Sequence, residues 1–103
     1  MRAKKRQPVH PGVILKEHYL EPLNLNISAL SGMLNVSRKT VSKIINRRGA
    51  VTPDMALRLS VTFNTTPELW LNMQSNHDLW KVSHKSADWK KAKRAVMAET
   101  LSC

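Results

Sequence analysis

The sequence predicts an all-α domain of five helices, preceded by a basic arm and followed by one more basic helix. Three observations predict this class. Apolar residues recur three and four positions apart and nowhere alternate over a useful length, which is the helical period and not the strand period. Proline stands at three first-turn positions, Pro11, Pro53 and Pro67, the last two directly after threonine. That pairing marks a helix start, because the threonine oxygen serves an orphan N–H and the proline has none to satisfy. Only 3 glycines occur in 103 residues, which leaves few positions for the tight turns that join strands.

Residues 1–9 read as the arm: Arg2, Lys4, Lys5 and Arg6 with almost nothing apolar between them, a segment suited to phosphate or a minor groove. Pro11 then opens a helix whose stripe is Val13, Ile14, Tyr19 and Leu20, and Pro22 is expected to stop it. Leu23 and Leu25 are expected to be core contacts in the loop after it. The next helix carries Ile27, Leu30 and Leu34, with Ser28 as its cap. Asn35, tolerant of left-handed backbone, ends it; Val36 plugs the core at the turn. Ser37 caps the following helix, whose buried face is Val41, Ile44 and Ile45. Thr52-Pro53-Asp54 starts the fourth helix, with Ala56, Leu59 and Phe63 inward. Thr66-Pro67-Glu68 starts the fifth, with Leu69, Trp70, Met73 and His77, running towards Trp80. Beyond it, Ser86-Ala87-Asp88 is expected to cap a last basic helix containing Trp89, Ala92 and Val96. The resulting organisation is an arm over 1–9, a domain over 10–80 with its two-helix motif at 27–46, and a basic, partly helical extension over 81–103.

The chain holds 17 Lys and Arg against 7 Asp and Glu, a formal charge of +10. A balance this basic implies a polyanionic partner. Its distribution is more telling, because no acidic residue lies between Glu21 and Asp54, whereas Arg38, Lys39, Lys43, Arg47 and Arg48 all do. A face that is merely solvated mixes both signs. The single cysteine, Cys103, permits no internal disulfide and suits a reducing cytoplasm. No apolar run reaches the length of a membrane span.

Two helices joined by a tight turn behave as one rigid reading head only under particular conditions. The first must be small where they cross, a place assigned to Ser31 and Gly32. The turn needs easy positive φ, which Asn35 provides. The second helix must then show a polar face, here Arg38, Lys39, Thr40, Ser42, Lys43 and Asn46. These types suit double-stranded DNA, where Arg and Lys donate to guanine and Ser or Thr serves either base edge. Residues near the start of such a helix approach the bases, so Ser37, Arg38, Lys39, Thr40 and Ser42 are assigned base contacts. Lys43, Asn46, Arg47 and Arg48 are assigned to phosphate.

Other chemistries find less support. Ser37, His10, His18, His77, His84 and Cys103 are reactive types, but no nucleophile motif or phosphate loop accompanies them. His77 and Asp78, being adjacent on a helix, point about 100° apart and are not expected to pair. No histidines have metal-ligand spacing with a supporting set, so no metal, cofactor or catalytic residue is assigned. Lys90, Lys91, Lys93 and Arg94 could meet RNA or a membrane surface, but their helix has only a thin apolar stripe and reads as solvated.

Several segments together resemble a known family. They are His10-Pro11-Gly12, Leu20 to Leu23 (LEPL), Val36 to Asn46 (VSRKTVSKIIN), Thr52 to Ser60 (TPDMALRLS) and Thr66 to Trp80 (TPELWLNMQSNHDLW). Over about residues 10 to 80 the chain resembles the HigA-type antitoxins, also called virulence-associated protein I, among the Xre-type, lambda-repressor-like regulators. The last segment is the specific one, since the two-helix motif is common to very many repressors. The commoner pattern has glycine where Asn35 stands and alanine where Ser31 stands. The resemblance implies a lambda-repressor-like helix-turn-helix domain that forms a homodimer, binds a palindromic operator, represses its own operon and neutralises a HigB-type mRNA-cleaving toxin. A solitary repressor without a toxin is the alternative. Trp70, Leu71, Met73, Leu79 and Trp80 exceed what one small core needs and are candidates for the dimer interface.

Overall fold

The computed structural model describes residues 7–95. It contains five α-helices: α1 (residues 11–23), α2 (Ile27–Leu34), α3 (Arg38–Ile45), α4 (Pro53–Phe63) and α5 (Pro67–Lys85), then a 3₁₀ turn at Asp88–Lys91. No strand occurs among the described residues. The basic arm lies almost wholly outside that range, as does Val96.

Helix α1 is continuous but changes pitch, with α-helix over Pro11–Leu15, a π turn over Lys16–Leu20 and α-helix again over Glu21–Leu23. Pro22 therefore does not stop it. In the π turn the Glu21 N–H bonds back to the Lys16 carbonyl, five residues away. The widened register makes room for a ring that would otherwise collide with the carbonyl four back. Helix α1 ends at Asn24, whose backbone is left-handed at φ 55°. Leu23 is a further correction: it belongs to the helix and is 56% exposed, whereas Leu25 packs on the core.

The helix ends share a device. Asn24, Asn35 and Asn64 all have positive φ, and the N–H of the next residue reaches back to the carbonyl five earlier: Leu25 to Leu20, Val36 to Ser31, Thr65 to Ser60. Short polar asparagine tolerates this conformation and so satisfies carbonyls that would otherwise be orphans. At the starts, His10, Asn26, Ser37, Thr52 and Thr66 each accept a first-turn N–H. The cap of α2 is thus Asn26, bonded to Ala29 N at 2.7 Å, and not Ser28.

Each helix contributes to one core: Leu15 and Leu20 from α1, Leu30 and Leu34 from α2, Val41 and Ile44 from α3, Met55 and Leu59 from α4 and Trp70 from α5. Trp70 is wholly enclosed. Its Nε1 donates to Thr65 Oγ1 at 2.8 Å, and its ring lies 5.6 Å from Tyr19, itself 4.6 Å from Phe63. Gln74 brings a buried amide to the same helix. Its Oε1 accepts from Val51 N at 2.8 Å and its Nε2 donates to Asp78 at 3.0 Å, so the segment between α3 and α4 is tied to α5.

Past Trp80 the character changes. Helix α5 continues to Lys85, and every residue from 81 to 95 is exposed. The expected last helix is reduced to the 3₁₀ turn. Ser86 does accept from Asp88 N at 3.0 Å, but no buried face holds the segment, and short helices are marginal in water without one.

Candidate nucleic-acid interface

Helices α2 and α3 pack together across the turn Asn35-Val36-Ser37. Ser31 is the small buried residue at the crossing, and its hydroxyl donates to the Ser28 carbonyl at 2.9 Å, so the burial leaves no orphan. Gly32 is not at the crossing: it is exposed, and an added Cβ there would meet nothing within 4 Å. The demand for a small side chain falls on Ser31 alone. Val36 packs against the core as expected.

A brace with no local signature in the sequence holds the turn from behind. Arg58 of α4 pairs with Asp54 through Nε at 2.7 Å, and its Nη1 donates to the carbonyls of Leu34 and Asn35 at 2.9 and 3.1 Å. A cation at the last carbonyls of a helix meets both the free acceptors and the negative end of the dipole. The Asp54–Arg58 spacing is visible as an i, i+4 ion pair; the carbonyls it aims at are not.

Helix α3 buries Val41 and Ile44 and half-buries Ile45. Lys39 and Lys43, one turn apart, stand on the opposite side, with Ser42 and Asn46 beside them. Ser37 caps the helix, its Oγ accepting from Thr40 N at 3.1 Å and lying 2.9 Å from Thr40 Oγ1. Arg38 leans towards α2, its Nη1 donating to Ser28 Oγ at 3.2 Å. Asn46 Nδ2 donates to Ser42 Oγ at 3.2 Å, leaving the amide oxygen outward. Arg38, Lys39, Lys43, Arg47 and Arg48 are all exposed, and none has a carboxylate partner among the described residues. The outer face is therefore one-signed in space as well as in sequence.

Arg47 sits apart from the rest. It follows the end of α3 in left-handed backbone, φ 61°, while Arg48 N bonds to Lys43 O at 2.7 Å. It lines a cleft of about 480 Å³ together with His10, Val13, His77 and Lys81. The His10-Pro11-Gly12 segment explains this junction. His10 Nδ1 accepts from Gly12 N at 2.8 Å, Pro11 fills the first turn, and Gly12 lies so close to α3 that an added Cβ would run into the Ile44 carbonyl. This segment docks α1 on the end of α3. The His10 ring is buried, and its pKa is lowered below the usual imidazole value, first by that burial and then by facing His77.

Helix α5 redistributes the residues assigned to an interface. Trp70 is wholly spent on the core and has no surface to offer, and Met73 is half-buried against that core. Leu71 is half-buried too, Leu79 is 67% exposed, and Trp80 stacks on His84 with ring centres 4.0 Å apart. Contrary to the expectation of divergent side chains, His77 Nδ1 comes within 3.4 Å of Asp78 Oδ1.

This arrangement matches a family model described as helix-turn-helix over residues 17–70, which takes in α2, α3 and α4 whole. The chain belongs to the HTH_3 helix-turn-helix family. Members similar to it include an uncharacterized HTH-type transcriptional regulator of Haemophilus influenzae, 48% identical over 77% of this chain and 74% of that protein. Antitoxin HigA-1 of Vibrio cholerae is 41% identical over 82% of this chain and 80% of its own length. Among solved structures, antitoxin GraA in complex with its operator is 37% identical, with a TM-score of 0.81 over 94% of this chain and all of that one. The Xre-like assignment and the five-helix architecture expected from the sequence thus hold. The family model stops at Trp70, early in α5. Among the described residues no helix is long and apolar enough to cross a membrane.

Proposed function

We propose that this chain is a sequence-specific DNA-binding antitoxin that represses its own operon and neutralises a HigB-type mRNA-cleaving toxin, working in the cytoplasm and without catalysis of its own. The observation that carries the DNA part is the exposed, one-signed face of α3, fixed on a buttressed two-helix frame. A similar protein is known bound to its operator. The toxin part is supported by the likeness to HigA-1 and GraA, both named antitoxins. The likeness to the Haemophilus influenzae regulator favours the second reading, a solitary repressor. A small ribonuclease-like reading frame beside the gene supports the first reading, and its absence supports the second.

The experiment is DNA binding by the protein and two variants. Replacing Arg38 and Lys39 together with alanine should abolish preference for the operator while circular dichroism stays unchanged, because each good base contact discriminates by about 1–3 kcal/mol. Arg48→Ala should weaken binding to all sequences and lower the slope of log affinity against log salt by about one. Unchanged operator preference in the double variant would reject α3 as the reading helix.

A homodimer through α5 completes the proposal, since a palindromic operator asks for two reading helices. Leu79 and Val82 are exposed on this helix, and Trp89 beyond it is half-exposed. Leu79 and Val82 line two adjoining clefts of about 530 and 470 Å³, the first with Leu71 and the second with Trp80 and Trp89. Light scattering at micromolar concentration should give the dimer mass, and Leu79→Glu the monomer mass. A monomer in the unaltered protein would reject this interface.

A further inference from the structure

We infer that His10 is a positioning residue for the reading helix, a latch that holds the end of α3 while its imidazole is neutral and releases it when the ring gains a proton. The inference rests on the DNA-binding reading above but concerns a part of the molecule that makes none of the assigned contacts.

The geometry requires a neutral ring. His10 Nδ1 accepts from the Gly12 N–H at 2.8 Å as the cap of α1. That nitrogen must carry a lone pair, so the proton of the neutral ring sits on Nε2. A second proton on Nδ1 would turn this acceptor into a donor facing a donor, with the ring almost wholly buried. Three elements meet here. Gly12 abuts the Ile44 carbonyl at the end of α3, and the ring of His77, on α5, meets the His10 ring edge-on at 4.9 Å. The Gly49 backbone, just beyond α3, lies near enough to the His10 ring to favour its charged form. Lost capping at His10 therefore propagates to the residues that follow the reading helix, where Arg47 and Arg48 lie.

The charged surroundings are mixed, and their sum decides the direction. Burial, His77 and Arg47 disfavour a charged ring, whereas the Gly49 backbone and Asp78 favour it; Lys81 stands across the same cleft. The balance lowers the pKa from 6.5. As pH falls, the released, water-exposed ring takes its proton first. The latch is at full strength above the ordinary imidazole value and is lost as pH falls from there through the value in the closed form.

This sign is opposite to the background. Acid can only add positive charge to the protein, which by itself strengthens binding to a polyanion. Affinity of the unaltered protein for operator DNA at constant ionic strength should nonetheless fall several-fold from pH 7.5 to about 5.5. His10→Asn keeps a side-chain acceptor for the cap and cannot titrate in this range; its affinity should stay flat or rise in acid. NMR on the unaltered protein tests the latch without relying on a variant: the Arg47 to Gly49 amides should shift with the titration of the His10 ring. An acid loss that persists in His10→Asn, or amides that ignore His10, would overturn the latch. Failure to bind DNA at any pH would reject the DNA-binding reading instead, and the amide titration would then decide the latch by itself.

Discussion

Trp70→Ala is expected to cost the domain about 3–5 kcal/mol, the range for removing a buried tryptophan side chain. The side chain is the largest one fully enclosed in the protein. Its removal takes away a large apolar burial, the contact with Tyr19 and the partner of the Thr65 hydroxyl at once. The site cannot collapse easily, because α1 and α4 both pack against α5 and each of the three is pinned by its own cap. Small domains are stable by only about 5–15 kcal/mol, so the variant should be marginal or unfolded at growth temperature. Urea denaturation followed by circular dichroism measures the difference, with Val61→Ala, at an exposed position of α4, as the control expected to change stability by no more than about 0.5 kcal/mol. A Trp70→Ala cost below about 1 kcal/mol would show that the core is not organised around this ring. The cost should be as large at concentrations where both proteins are monomeric, which separates a core residue from a residue of the interface.

What was legible in the sequence follows from how local each signal is. Thr52-Pro53 and Thr66-Pro67 announce helix starts by chemistry confined to a few residues, and both helices begin there. Ser37 and Asn35 are equally local, and so the two-helix motif and its outer face are found in place. Asn24 and Asn64 are the same signal as Asn35 but are overshadowed, one by the neighbouring Pro22 and the other by Thr66-Pro67. The π turn is invisible because it is a response to proline inside a helix that the core already holds from both sides. Arg58 and Gln74 act on backbone carbonyls and N–H groups 23 or 24 residues away in the chain, and no local pattern encodes such a target. Conversely, the expected last helix had a cap and basic character but no partner surface, and tertiary packing is what most helices depend on. Within the interface, the identity of the exposed residues was legible; that Arg38 turns to Ser28 and Asn46 to Ser42 was not.

Gly12→Ala should be the most damaging single-methyl change in the protein. Glycine is required here for closeness and not for an unusual φ, since no glycine in the described residues has positive φ. The added Cβ would collide with the Ile44 carbonyl oxygen and come within 2.8 Å of its carbon. Both sides of this contact are backbone, so no rotamer change can relieve it. Overpacking commonly costs about 1–3 kcal/mol, and with no flexible side chain to yield, this site should lie at or above the top of that range. The structural response matters more than the cost. Helix α1 must lift away from the end of α3, which carries the His10 ring with it and loosens the segment carrying Arg47 and Arg48. The expected result is a loss of operator affinity larger than the fraction of unfolded protein explains, measured at low temperature where the variant remains folded. Gly32→Ala is the matched control, because its Cβ meets open space and alanine favours the helix by about 1 kcal/mol. If both variants bound operator DNA alike, the docking of α1 on α3 would not be what sets the reading helix in place.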